Sequence, residues 1–101
     1  RICLIGHTHV PSIFIENPHA RPDILTPQHA DRWRSEKRFI LNPGSVGQPR
    51  DHNPKAAYVI WDDEEDTFLF KRVAYDVEAV QERIPALGIP SRHATRRSQG
   101  I

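Results

Sequence analysis

Two histidines one residue apart, His7 and His9, follow directly on an apolar run in the segment Gly6-His7-Thr8-His9. Neutral imidazole is the commonest nitrogen ligand of divalent transition metals, so a His-x-His pair at a strand end is a candidate metal site. In a continuing strand, residues i and i+2 project to one side; in a turn they can diverge toward two neighbouring ions. The same pattern also arises among surface histidines that simply form hydrogen bonds. The spacing alone does not separate the two.

A second constellation bears on the choice. Residues 42–50 read Asn-Pro-Gly-Ser-Val-Gly-Gln-Pro-Arg and follow another apolar run. A glycine-rich loop can bring backbone amides close to an anion, and the Ser45 hydroxyl and Arg50 guanidinium suit phosphate oxygens. The plainer reading is a rigid turn with Arg50 in an ion pair. Ligands of open α/β sheets sit at the carboxyl ends of strands, so both segments are expected at one sheet edge.

These segments resemble the calcineurin-like metallophosphoesterases, in the branch of YfcE-type phosphodiesterases and diadenosine-tetraphosphatase-like proteins. The resemblance rests on Gly6-His7-Thr8-His9 and on residues 42–50, and extends through residues 56–73 to Tyr75-Asp76-Val77-Glu78-Ala79. It implies His7 as a ligand of a second metal ion and His9 as a ligand of a first. It also implies two divalent ions, manganese foremost with iron, nickel or zinc as alternatives, that activate a bridging water for in-line attack on phosphorus. Substrate contacts are expected at Asn42, Gly44, Ser45 and Arg50. The family's remaining ligands lie in Asp-x-His, Gly-Asp and Asn-His segments and a further histidine, and none of these occurs within residues 1–101. No catalytic residue is therefore assigned, and the chain alone is expected to be inactive.

The elements that must position these loops can be read from apolar patterning. Residues 2–5 are continuously apolar, as in a strand buried on both faces, and residues 12–16 form a second short strand. Residues 17–37 contain Pro18, Pro22 and Pro27 and read as an irregular excursion anchored by Trp33. Residues 38–41 resume strand character. Residues 56–61 and 67–73 flank the acidic run 62–66 and predict an antiparallel hairpin. Asp76 is placed to cap a helix on which Val77, Val80, Ile84 and Leu87 share a face. Pro85 predicts a kink or stop, Gly88 an end, and Pro90 the first position of a second short helix. Residues 98–101 are expected to fray.

Composition narrows the class. Fourteen Lys+Arg against thirteen Asp+Glu leave a net charge of +1, which gives no global attraction to a polyanion. Arg92, Arg96 and Arg97 make the tail basic but lack interleaved aromatics, so a nucleic-acid partner is not expected. The single cysteine, Cys3, cannot form an internal disulfide and reads as a buried thiol of a reducing, cytoplasmic setting. No apolar stretch reaches bilayer length. His19, His29, His52 and His93 fall in loop or tail contexts, with His52 the one nearest Arg50.

The expected architecture is α/β: residues 1–101 as the C-terminal part of a single four-layer α/β/β/α metallophosphoesterase sandwich. The chain opens on an apolar run and contains no methionine, which predicts an upstream half of the same fold as its partner. The expected function is metal-dependent hydrolysis of phosphate mono- or diesters, with a small-molecule or nucleotide substrate. A non-catalytic scaffold with the same fold is the alternative, and a mononuclear metal-binding module a third reading.

Overall fold

Alternation of apolar and polar side chains shapes most of the chain, and the computed structural model describes residues 1–101. Seven strands and two helices follow in order: β1 (Ile2–Leu4), β2 (Ser12–Ile15), β3 (Asp23–Leu25), β4 (Arg32–Trp33), β5 (Phe39–Asn42), β6 (Ala56–Asp62), β7 (Thr67–Val73), α1 (Val77–Ala86) and α2 (Arg92–Gln99). One mixed sheet has the order β1-β5-β2-β3, with β1 parallel to β5 and the other pairs antiparallel. The other, β4-β7-β6, is antiparallel throughout.

The two sheets meet face to face. Ile13, Phe39 and Leu41 from the first pack against Phe68 and Phe70 from the second, every one nearly inaccessible to water. Phe39 stands edge-on to Phe68 at 5.4 Å and to Trp33 at 4.4 Å, the offset geometry that aromatic quadrupoles prefer. Trp33 is thus the anchor anticipated for residues 17–37. That segment is less irregular than its prolines suggested, because β3 pairs with β2 and β4 with β7. Local propensity was overridden there by neighbouring strands with free edges.

The outer face of the first sheet departs from expectation. Leu4, on the core side beside Leu41, is 56% exposed, so β1 is buried on neither face. On the outer side Cys3, Ile5 and Ile40 are exposed and Ile24 is 64% exposed. No element of this chain lies over that face. Cys3 is accordingly an accessible thiol rather than a buried one.

At the end of the hairpin, Asp62 accepts bonds from the amides of Glu64 and Glu65, closing the acidic turn. Asp76 caps α1 by accepting from the Ala79 amide at 3.0 Å. The helix stops one residue past Pro85, which cannot donate to the carbonyl one turn back, and Leu87 projects into solvent instead of sharing the buried face of Ile84. α2 begins at Arg92 with Ser91 as its N-cap, so Pro90 precedes the cap instead of taking the first helical position. Its C-terminus does not fray. Gly100, left-handed at φ 67, is buried, and its carbonyl accepts from the His52 amide at 2.8 Å. A Cβ there would stand 2.5 Å from the Asn53 nitrogen, so α2 docks closely on residues 52–53. No helix is long and apolar enough to cross a membrane.

One exposed ion pair yields a pH prediction. Arg38 Nε donates to Glu16 at 3.0 Å, and that hydrogen bond holds the Glu16 carboxyl below its usual 4.5. A carboxyl lowered on folding contributes stability above its unfolded pKa and loses it as pH falls through the folded one. Glu16→Gln is expected to lower the melting temperature slightly at neutral pH and not at all in strong acid. The neutral-pH difference should fade in high salt, since both partners are solvent-exposed. A difference that persists in strong acid would sink this account.

Candidate functional site

β1 and β5 run parallel in register, Ile2 beside Phe39 and Leu4 beside Leu41, so the segments leaving their carboxyl ends emerge side by side. These are the histidine turn after Leu4 and the 42–50 loop. The sheet topology therefore brings both sequence constellations to one edge.

Gly6 does not make the turn. It lacks a left-handed φ, and a Cβ there would meet nothing within 4 Å. His7 (φ 80) and His9 (φ 62) are left-handed instead. Such a backbone costs a side-chain-bearing residue on the order of 1–3 kcal/mol and persists only where the surroundings impose it. Asn42 is the main constraint. Its side chain is 1% exposed, and Nδ2 donates to the Gly6 carbonyl at 3.2 Å and to Thr8 Oγ1 at 2.8 Å. Its Oδ1 accepts from the Gly44 amide at 3.0 Å. One buried amide thus ties the turn to the loop.

The two segments are also joined through His9. Its Nδ1 lies 2.8 Å from the Gln48 carbonyl, and its own carbonyl accepts from the Arg50 amide at 3.2 Å. A carbonyl only accepts, so Nδ1 carries the proton and Nε2 of the neutral ring keeps its lone pair. This is the tautomer a metal-ligating histidine adopts when a backbone carbonyl orients it. The His7 ring is exposed and forms no hydrogen bond within the fold.

The loop itself is pinned along its length. Gly44, at φ 91, approaches so closely that a Cβ would stand 2.8 Å from Pro11 Cγ and 2.9 Å from Ala57 Cβ. The Ser45 carbonyl accepts from the Ala57 amide, and Ser45 Oγ accepts from the Gln48 amide at 2.9 Å. Arg72 from β7 grips Asp51 with two bonds, at 2.6 and 3.1 Å, and donates to the Asn53 carbonyl at 2.6 Å. That fork neutralises the carboxylate next to Arg50. Arg50 itself is exposed and has no carboxylate partner, so the ion-pair reading of its role finds no support.

Of the four expected substrate contacts, Asn42 and Gly44 are spent inside the fold, where they build the loop. Ser45 and Arg50 front it. Beside them, the amides of Ser45, Val46 and Gly47 donate to nothing within the chain. Three consecutive amides are therefore left without an acceptor beside a hydroxyl and a guanidinium. Sequence reasoning missed Thr8, Gln48 and Arg72. Thr8 lies within the motif and could have been suspected, but Gln48 acts through its backbone, which no side-chain pattern reports.

The donor set fits part of a metal centre. Two imidazoles stand at the sheet edge, and no third His, Cys, Asp or Glu joins them.

A solved metallophosphoesterase from Sphaerobacter thermophilus matches 99% of this chain with a TM-score of 0.92 and 34% identity. The chain carries part of the metallophosphoesterase fold. It spans 42% of that protein's length. An uncharacterized protein of Methanocaldococcus jannaschii is 33% identical over 89 residues, which is 88% of this chain and 35% of the relative. A hypothetical protein of Pyrococcus horikoshii OT3 matches 75% of the chain with a TM-score of 0.54 and 26% identity, over 30% of its own length. No protein-family model matches the chain. Within the metallophosphoesterase fold, the mixed sheet presents the paired loops and the second sheet supports the 42–50 loop through Ala57 and Arg72.

Proposed function

We propose that residues 1–101 are the C-terminal part of a single metallophosphoesterase domain and contribute two histidine ligands and the phosphate-facing loop to its site. His7 and His9 hold divalent ions, manganese foremost, while Ser45, Arg50 and the free amides of residues 45–47 receive the phosphoryl oxygens of a mono- or diester. The observation that carries this reading is the left-handed His7-Thr8-His9 turn, with Nδ1 of His9 bound to the Gln48 carbonyl beside an unpaired amide cradle. Divalent metal ions supply a nucleophilic water near neutral pH and polarise the phosphoryl oxygens. The chain's own residues orient the His9 ring, place the phosphate and keep the Arg50 charge unneutralised.

The remaining ligands belong to an upstream half of the same fold, which in this reading also covers the exposed Ile5, Ile24 and Ile40. An apolar sheet face of that kind is otherwise an aggregation liability. In the protein that unites both halves, His7→Ala and His9→Ala are each expected to lower kcat/KM for a nitrophenyl phosphodiester by more than about 100-fold, beyond what loss of a supporting residue costs. Bound manganese, counted by elemental analysis, should fall in parallel. Full metal-dependent turnover in either variant removes the reading.

A scaffold without catalysis is the second reading. Degraded Asp-x-His and Gly-Asp segments in the upstream half would decide for it.

A further inference from the structure

Helix α2 carries a guanidinium that the site described so far does not use. Arg97 is half-buried, and its Nε is shielded from solvent with no hydrogen-bond acceptor in the fold. Its Nη groups form no hydrogen bond and no ion pair, and they are not among the buried unpaired atoms, so they retain contact with solvent. A methyl group built on Gly47 would lie 3.7 Å from Arg97 Nη1, so the guanidinium rests against the loop. Gly47 is one of the three residues whose amides are unpaired, and its neighbour Gln48 holds His9.

The position of this side chain is imposed. Gly100, three residues on, packs directly against the backbone of residues 52 and 53, and Gln81 of α1 donates to the Ala94 carbonyl at 2.8 Å. The helix is thereby fixed between α1 and the end of the loop. A cation held half-buried without a counter-anion is costly, and a polar group left unsatisfied in a folded protein asks for a ligand. The nearest carboxylate in sequence to the loop, Asp51, is already committed to Arg72.

We propose that Arg97 is a second arginine of the phosphate cradle, its Nη donors meeting a phosphoryl group that the amides of Val46 and Gly47 and the Arg50 guanidinium also contact. This rests on the reading of residues 42–50 as the phosphate-facing loop. Two guanidiniums approaching from different elements would favour a phosphate bearing two anionic oxygens over one with a single charge. Arg97 enters the site from a helix outside both sequence motifs.

The test is a titration of the metal-free protein that unites both halves with inorganic phosphate, followed by the Gly47 amide and Arg97 Nε–H signals in nitrogen-15 NMR. Arg97→Gln is expected to weaken phosphate binding by about five- to tenfold, the worth of one charge-assisted contact. Arg92→Gln, an equal charge loss on the exposed side of α2, should change it less than about twofold, and Arg97→Lys should restore part of the loss. Equal affinity in the Arg97 and Arg92 variants overturns the proposal and leaves the loop reading standing. A Gly47 amide indifferent to phosphate in the unaltered chain overturns both. Should Arg97→Gln unfold the chain, the unaltered protein decides. A Gly47 signal that moves while Arg97 Nε–H stays still refutes the role of Arg97.

Discussion

Replacing Asn42 by alanine is expected to destabilise the chain by about 2–4 kcal/mol, measured by urea unfolding, and to release the histidine turn. The residue is 1% exposed, and its side chain satisfies the Gly6 carbonyl, Thr8 Oγ1 and the Gly44 amide. Truncation takes the acceptor from the Gly44 amide and one donor each from the Gly6 carbonyl and Thr8 Oγ1, which still accept from the Thr8 and Val10 amides. An orphaned donor costs about 1–3 kcal/mol, and the small cavity adds to it. Asn42→Asp separates the two contributions, since it keeps the volume but loses both donated bonds and turns a carboxylate toward a carbonyl. It should be at least as damaging at neutral pH. In either variant the Nδ1 proton of His9, slow to exchange in the intact turn, should exchange faster. A loss below about 1 kcal/mol would show that the clamp is ornamental.

Gly44→Ala should be nearly as severe, at about 2–4 kcal/mol, because two penalties coincide. The backbone there is left-handed at φ 91, and the new methyl would press to 2.8 Å from the Pro11 ring and 2.9 Å from Ala57 Cβ. Neither neighbour can swing away: one is a closed ring and the other a methyl on a strand. Relief requires the loop to lift from β6, which would break the bond from the Ala57 amide to the Ser45 carbonyl. Gly6→Ala is the control. Its site is open and its backbone is not left-handed, so thermal melting should show little change. Equal damage from both substitutions would mean that the two glycines serve the turn alike, contrary to the geometry.

That contrast shows how far the motifs could be read without coordinates. A glycine directly before His-x-His invites the inference that it permits the turn. The folded chain puts the strain on the histidines themselves. Whether a given position is left-handed depends on what holds it there, and here the holder is Asn42, thirty-six residues further along. Asn42 was marked as part of the site for its place in the loop, but its side chain faces inward. In the sequence Arg97 is one of three basic residues preceding a terminus, residues 98–101, that is expected to fray. Gly100 reverses that expectation by packing on residues 52–53.

By itself the sequence determined the strand segments outside residues 17–37, the two helix segments, the hairpin around residues 62–66, the Asp76 cap and the kinship of the two loops with a metal-dependent phosphoesterase. These are properties of local patterning: periods of two and 3.6 residues, turn residues and short motifs whose chemistry is carried by neighbouring positions. Only the tertiary structure decided which side chains remain free. Parallel pairing of β1 with β5 placed the loops together, burial consumed Asn42 and Gly44, and the Arg72–Asp51 fork left Arg50 unpaired. A polar group is available to a ligand only after the fold has satisfied the others, and the partners that satisfy them are distant along the chain.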